Sequence, residues 1–224
     1  FEKIIQQENT LIEEFSQVPS LINILGAANF RISHYSKAIE YFRKVIQLKP
    51  DYAEAYNNMG AVYKDNGDLT AAIELFEQAI ELNPNYADAY RNLGVSYREE
   101  TNIAESIKNF LRLVELKPDS ASAYNNLGIT YKDGKRISAA IRCYKHAIEL
   151  EPNYADAYNN LGVAQKLLGN FDVAIKTLNH ALKLKPEDAN IHVNMAICFQ
   201  DQGNIEKAIE VYKRSIEIEP DLAE

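Results

Sequence analysis

The amino-acid sequence predicts an all-α protein, a solenoid of stacked helix–turn–helix units. Glycines and helically spaced apolar residues recur with a common period along the chain. Prolines mark the same period, since six of the seven stand 34 residues apart. These six are Pro50, Pro84, Pro118, Pro152, Pro186 and Pro220. A fixed period of this length is typical of solenoids, because each unit must stack on its neighbours to bury its apolar face.

The period divides most of the chain into six repeats, with the spaced proline at position 32 of each. The predicted repeats are 19–52, 53–86, 87–120, 121–154, 155–188 and 189–222. In the second repeat, Tyr56, Met59 and Tyr63 form one helical stripe, and a second stripe runs over 72–80 after a turn at 65–68. Proline then ends the second helix because it cannot continue the hydrogen-bond ladder.

Glycine occupies two positions of the repeat. At position 8, where small residues are predicted to let helices approach closely, stand Gly26, Gly60, Gly94, Gly128 and Gly162. Three glycines at position 15 mark the turn between the helices, and Gly134 stands one place earlier. The turn at 99–102 lacks glycine, so a looser turn is expected there without a break in the solenoid. No glycine is left over for a phosphate-binding loop.

The fourth repeat follows a familiar order of aromatic, Leu, Gly, Tyr, Ala, aromatic, Ala and Pro. Its residues are Tyr124, Leu127, Gly128, Tyr131, Ala140, Tyr144, Ala147 and Pro152. This order resembles the tetratricopeptide repeat, and the resemblance covers residues 19–222. It implies a right-handed superhelical α-solenoid whose first helices line a concave, protein-binding groove. Asn29 and Gln165 depart from the pattern by replacing the position-11 tyrosine.

The two ends of the chain are interpreted separately. Residues 1–18 are predicted to form a lead-in helix, either a degenerate repeat or an N-terminal cap. Residues 223–224 are interpreted as the start of a further repeat, because 220–224 resemble 50–54. Solenoids normally end in a polar capping helix, so the natural protein is expected to continue beyond this chain. Self-association through exposed terminal repeats is a further possibility.

Composition excludes several classes of function. The formal net charge of −8 argues against nucleic-acid binding, which needs a basic face. Two cysteines without paired Cys/His spacing predict neither a disulfide framework nor a zinc site. No apolar run is long enough for a bilayer and no signal-peptide pattern occurs, so no membrane association and an intracellular compartment are expected. No cofactor is expected.

No catalytic constellation is predicted. His146 and His180 both stand at position 26, so they should lie on the order of 10 Å apart, too far to share a metal. Cys143 and Cys198 are interpreted as small apolar residues. An alternative from another class is the substrate-recognition arm of a larger enzyme, because similar arrays are fused to glycosyltransferases, sulfotransferases and methyltransferases. Its catalytic domain would then lie outside this chain.

The strongest indication of a ligand is a series of asparagines on the first helix of each repeat. Position 6 holds Asn58, Asn92, Asn126, Asn160 and Asn194. Position 5 holds Asn57, Asn125 and Asn159, with Arg91 in the third repeat. Position 12 adds a row of cations, Lys64, Arg98, Lys132 and Lys166. Positions 5 and 6 lie roughly opposite the core stripe of the first helix. In tetratricopeptide arrays, that face lines the groove.

Asparagine costs roughly 0.7 kcal/mol relative to alanine inside a helix, so a series in register needs an explanation. An amide offers both a donor and an acceptor, which suits the backbone of an extended peptide. Similar ladders mark the repeats of O-GlcNAc transferases, and the resemblance implies that role for the position-6 asparagines. The alternative is that the asparagines bridge adjacent helices. The cations favour acidic stretches in a ligand, and the overall prediction is a protein-interaction scaffold.

Overall fold

The structure, a computed structural model, describes residues 16–220, which form twelve α-helices and no strand. The predicted lead-in helix falls mainly on residues 1–15 and the further repeat on 223–224, so both lie outside the described residues. The all-α fold of paired, stacked helices is confirmed.

The chain forms two compact units, which divide after Leu116. The first unit contains α1 (Pro19–Arg31), α2 (Tyr35–Leu48), α3 (Ala53–Asp65), α4 (Leu69–Leu82), α5 (Ala87–Glu99) and α6 (Ile103–Leu116). The second contains α7 (Ala121–Asp133), α8 (Ile137–Leu150), α9 (Ala155–Leu167), α10 (Phe171–Leu184), α11 (Ala189–Asp201) and α12 (Ile205–Ile218). Within each unit, consecutive helices pack against each other and first helices of successive repeats also touch.

Local sequence explains where the helices begin and end. Asp68 caps α4 by accepting a hydrogen bond from Ala71 N at 3.1 Å, and Asp188 caps α11 by accepting one from Ile191 N at 3.3 Å. The second helix of the repeat stops shortly before its proline, as α4 does at Leu82 ahead of Pro84.

The position-8 glycines are needed because an aromatic or leucine side chain of the second helix covers them. A Cβ atom added at Gly128 would lie 2.5 Å from Tyr144 Cε1, and one added at Gly60 would lie 2.8 Å from Phe76 Cε1. Tyr144 and Phe76 are fully buried. The predicted close approach of the paired helices at position 8 is therefore confirmed, and the missing side chain leaves room for the core aromatic ring.

The turn at 99–102 is not looser than the others, so that expectation was wrong. Thr101 takes the position-15 conformation with φ of 61°, where Gly67 has 87°. Asn102 N donates to Tyr97 O at 2.8 Å, and the corresponding bond from Asp68 N to Tyr63 O measures 2.9 Å. The hydrogen bond from the residue before the second helix back to the first helix is the same in both turns, so the turn keeps one conformation even with a β-branched residue at the strained position.

Histidine and cysteine side chains take structural positions in the second unit. The His146 ring lies 4.4 Å from the Tyr124 ring and the His180 ring 4.3 Å from the Tyr158 ring, measured between centroids. Cys198 is buried in a cluster with Leu178. Burial raises the pKa of the Cys143 thiol to about 11, which disfavours a reactive thiolate.

Candidate peptide-binding face

The predicted site residues all lie on the first helices of the repeats, and their surface is called here the asparagine face. In the first unit it comprises Asn57, Asn58, Lys64, Arg91, Asn92 and Arg98. In the second unit it comprises Asn125, Asn126, Lys132, Asn159, Asn160, Lys166 and Asn194. Positions 5 and 12 share one side of the helix because seven residues make nearly two turns.

In the first unit, asparagines join successive first helices. Asn58 Nδ2 on α3 donates to Asn23 Oδ1 on α1 at 3.2 Å, and Asn92 Nδ2 on α5 donates to Asn57 Oδ1 on α3 at 2.9 Å. Each bond links position 6 of one repeat to position 5 of the preceding repeat. The bridging that sequence analysis left open as an alternative therefore occurs.

The second unit repeats this arrangement. Asn160 Nδ2 on α9 donates to Asn125 Oδ1 on α7 at 3.0 Å, and Asn194 Nδ2 on α11 donates to Asn159 Oδ1 on α9 at 2.9 Å. In all four bonds a position-6 Nδ2 donates to a position-5 Oδ1 that lies 35 residues earlier. The bond is therefore a property of the repeat.

Asn126 departs from this pattern. Its Nδ2 donates to Ser122 O on its own helix at 2.9 Å. The residue 35 places earlier is Arg91, and a guanidinium group has no acceptor atom. Arg91 instead forms an ion pair with Asp88 on its own helix, with 3.1 Å between Nη2 and Oδ1.

Burial separates the two asparagine positions in two of the three repeats that have asparagine at both. At position 5, Asn57 is 6% exposed and Asn125 is 5% exposed, whereas Asn159 is half-buried. All five position-6 asparagines are half-buried. Each bridge uses one of the two N–H groups of its position-6 amide, so a second N–H is left for another partner. Position 6 is therefore the part of the ladder that keeps a spare hydrogen-bond donor.

Sequence analysis missed Asn23, which belongs to the same series. It stands at position 5 of the first repeat, 34 residues before Asn57, and the signal was hidden because Ile24 interrupts position 6. Asn23 is 3% exposed, accepts from Asn58 and donates through Nδ2 to Glu54 Oε1 at 2.8 Å. Its amide is thereby satisfied on both sides.

A tyrosine flanks the ladder in the first unit. Burial, followed by the nearby carboxylates of Glu54 and Asp88, raises the pKa of Tyr86 to about 12, while the Arg91 charge and the Asn57 amide oppose the rise. Tyr154 is the equivalent residue of the second unit. Burial also raises its pKa, with further contributions from Asp156 and Glu151. Both hydroxyls therefore stay protonated at neutral pH.

Two cations of the position-12 row are neutralised by neighbouring acids. Lys64 Nζ lies 3.0 Å from Glu99 Oε1 on the next first helix. Lys132 Nζ lies 3.4 Å from Asp133 Oδ1 beside it, because the residue 35 places further on is Leu167. These pairs reduce the positive charge that the row offers to a ligand.

Lys166 and Arg98 differ from these two. No carboxylate of the described residues lies within 4.0 Å of Lys166 Nζ, although Asp201 stands in the register that Glu99 occupies for Lys64. Aspartate is one methylene shorter than glutamate. Arg98 Nη1 is buried and has no hydrogen-bond partner among residues 16–220. These two cations retain unused capacity for an acceptor.

Residues 16–220 contain neither a cluster suited to a metal ion nor a helix suited to a membrane. No group of three or more His, Cys, Asp or Glu side chains there is arranged to hold a metal ion. Within the same range, no helix has both the length and the apolar character needed to cross a membrane.

Protein-family models match nearly the whole chain, from residue 26 to residue 224. The family described as TPR repeat matches residues 26–67, 96–134 and 130–169, which together exceed half of the sequence. Families described as tetratricopeptide repeat match 53–86, 75–108 and 167–224. No curated protein sequence matches the chain significantly.

Three solved structures with the same fold are compared with this chain by sequence identity, coverage and TM-score. A crystal structure of MamA protein is 26% identical, covers 76% of this chain and 93% of its own, and has a TM-score of 0.66. A chain of the APC/C hetero-tetramer Cut9–Hcn1 is 24% identical and covers 97% of this chain but 43% of its own, with a TM-score of 0.77. YrrB, described as a TPR protein with an unusual peptide-binding site, is 23% identical, covers 80% of this chain and 93% of its own, and has a TM-score of 0.64.

Proposed function

Because the chain belongs to the tetratricopeptide repeat family, we propose that it is a protein-interaction scaffold whose asparagine face binds an extended peptide segment. The observation that carries this proposal is the half-exposed amide at position 6, which keeps one N–H after bridging to the preceding helix. The bridge also fixes the orientation of that amide, so a ligand does not have to order it on binding.

The spacing of the amides suits an extended backbone. Packed helices lie about 8–10 Å apart, and an extended chain advances about 3.3 Å per residue. One amide would therefore meet roughly every third residue of the peptide within each unit. Because the amide contacts the backbone, the face would accept many sequences. Each contact contributes about 0.5–1.5 kcal/mol, which favours micromolar affinity.

Lys166 gives the second unit a preference among such ligands. Its ammonium group lacks an acid partner among the described residues, and the apolar Leu167 beside it is 54% exposed. An acidic side chain of the peptide would pair with Lys166 and an apolar one would cover Leu167. The sequence predicts that all position-12 cations favour acidic ligands. In the second unit we assign this preference to Lys166 alone, because Lys132 is already paired with Asp133.

The test measures binding of fluorescent peptides of about nine residues, a length that spans roughly three repeats. The panel holds neutral, acidic and basic sequences, read by fluorescence anisotropy at two salt concentrations. We expect Asn92→Ala to weaken binding of every ligand by three- to tenfold, as loss of one hydrogen bond predicts. Acidic peptides should show the steeper salt dependence.

Asn57→Ala is the matched control, because it deletes the same bond between Asn57 and Asn92 but leaves the half-exposed position-6 amide in place. It should affect peptide affinity much less than Asn92→Ala. Equal losses from both substitutions would mean that the asparagines act through helix packing alone. Unchanged affinity in Asn92→Ala would remove the peptide-binding role of the ladder.

A further inference from the structure

A groove of the first unit lies away from the asparagine face. It runs between α4 and α6, has a volume of about 440 Å³ and is called here the α4–α6 groove. The residues of α5 that line it are Tyr90, Leu93 and Tyr97, at positions 4, 7 and 11 of the third repeat. These positions form the core stripe of α5, so the groove and Asn92 lie on roughly opposite sides of that helix.

The margins of the α4–α6 groove are acidic. Glu77 and Glu81 of α4 line one side, and Glu105 of α6 lines the other. Lys108 also lines the groove, but its Nζ lies 3.0 Å from Glu105 Oε2, so its charge is already used. No cation of residues 16–220 lies within 4.0 Å of the Glu77 or Glu81 carboxylate. The described residues therefore leave both carboxylates without a counter-charge.

Tyr97 lies within reach of both margins. Its hydroxyl donates to Glu77 Oε1 at 2.6 Å. Burial, followed by this hydrogen bond and the charges of Glu77 and Glu105, raises the pKa of Tyr97 well above its usual range. The acids of the two helices thus produce a negative potential at one point of the groove.

The equivalent positions of the other repeats do not carry this charge. Position 25 of the second helix is acidic in the second repeat alone, and the other repeats have Arg43, Leu111, Lys145, Asn179 and Lys213 there. Of the six second helices, α4 is the one without lysine or arginine. Glutamates four residues apart on a helix repel each other, so Glu77 and Glu81 weaken α4 unless a cation lies between them.

The first repeat shows that a guanidinium group fits beside the position-11 tyrosine. Arg43 on α2 donates through Nη2 to the Tyr63 hydroxyl on α3 at 3.1 Å. Tyr63 and Tyr97 hold the same position of successive repeats, and Glu77 stands where Arg43 does. In the α4–α6 groove, a guanidinium at this place therefore has to come from another molecule.

We propose that the α4–α6 groove is a second binding site, which takes an arginine side chain from a basic segment of a partner protein. The aliphatic stem lies on Ile80 and the tyrosine rings, and the guanidinium pairs with Glu77 and Glu81. Arginine fits because its planar fork reaches two carboxylates at once. The acids of residues 16–220 are not arranged to hold a metal ion, which favours this larger cation. The site is independent of the asparagine face.

Fluorescence anisotropy with synthetic peptides tests the proposal. The probe is a labelled peptide of alanine and serine with arginine at every fourth place, and its match has citrulline, which is uncharged and similar in shape, at those places. The citrulline peptide should bind at least about tenfold more weakly. Glu77→Gln and Glu81→Gln should each weaken binding of the arginine peptide by about three- to tenfold. Asn92→Ala should leave the difference between the peptides unchanged, which separates this site from the asparagine face.

Glu149→Gln is the matched control, because Glu149 holds the same repeat position as Glu81 and its replacement changes the net charge equally. It should leave the affinity for the arginine peptide unchanged. Lys108→Ala removes the cation that pairs with Glu105 and should strengthen binding by about two- to fivefold. Such a gain does not arise from a loss of folding.

Equal binding of the arginine and citrulline peptides would overturn the proposal. Equal losses in Glu81→Gln and Glu149→Gln would overturn it as well, because they would show attraction to the net charge of −8 and not to the groove. Weaker binding after Lys108→Ala would also contradict it.

Discussion

At the scale of single residues, the turn at position 15 shows how tertiary packing dominates local preference. Glycine takes this position with φ of 87° at Gly67 and 76° at Gly169, but Thr101 adopts φ of 61° and Lys135 of 59°. Such angles cost a residue with a Cβ atom of order 1 kcal/mol or more. The turn persists because each paired helix buries a complete apolar stripe, which outweighs that strain.

Replacing Thr101 with glycine should therefore stabilise the protein. Relief of the strain exceeds the entropy that glycine adds to the unfolded chain, and we expect the free energy of unfolding to rise by about 0.5–1 kcal/mol. Urea denaturation measures this change. Glu100→Gly is the control, because Glu100 has φ of −73°, where glycine brings only entropy and should lower stability. A loss of stability in Thr101→Gly would show that its side chain contributes more than the strain costs.

At the scale of elements, the asparagine pairs couple helices that belong to different repeats. Asn57 is buried and accepts from Asn92, which is half-exposed, so the bond between α3 and α5 is partly shielded from water. A shielded hydrogen bond contributes more than an exposed one because water competes less for its atoms. The pairs therefore help to set the register in which successive repeats stack.

A double-mutant cycle on Asn57 and Asn92 should reveal this coupling. The single alanine variants should each lower the free energy of unfolding, and the double variant should lose about 0.5–1.5 kcal/mol less than their sum. Urea denaturation of the four proteins supplies the cycle. Asn126→Ala should change stability little, since Asn126 bonds to its own helix and alanine favours that helix. Additive losses at Asn57 and Asn92 would argue against a bond that matters for folding.

At the scale of the whole molecule, both units hold tyrosines that resist ionisation. Burial, with nearby carboxylates, raises the pKa of Tyr52, Tyr86 and Tyr97 in the first unit and of Tyr154 and Tyr212 in the second. An unfolded tyrosine ionises near pH 10. The folded state therefore holds these protons more tightly than the unfolded state, and its stability must fall at high pH.

The free energy of unfolding should be independent of Tyr86 ionisation below pH 10 and should decline between pH 10 and about 12. The rise of the Tyr86 pKa from 10 to about 12 would correspond to about 2.7 kcal/mol for a fully buried group, and the partial exposure of Tyr86 lowers its contribution to about 2 kcal/mol or less. Urea denaturation at a series of pH values gives the profile. Tyr86→Phe removes the titrating hydroxyl and should make the decline shallower without changing its onset. An identical profile in Tyr86→Phe would assign the loss to other groups.

The sequence by itself determined the paired helices and the close approach at position 8. Both follow from short-range periodicity, since Gly60 and Phe76 are 16 residues apart within one repeat and the repeat recurs through the chain. It also placed the asparagines and cations on one side of the first helices, because helical geometry alone decides which positions share a face.

Only the tertiary structure decided what those side chains do. It separated buried acceptors such as Asn57 from half-exposed donors such as Asn92, and it added Asn23 to the series. It also showed that Lys64 is paired with Glu99, while Lys166 lacks a partner among the described residues. These outcomes depend on distances between helices from different repeats, where one methylene or one hydrogen-bond acceptor decides the contact. A pattern along the chain does not contain those distances.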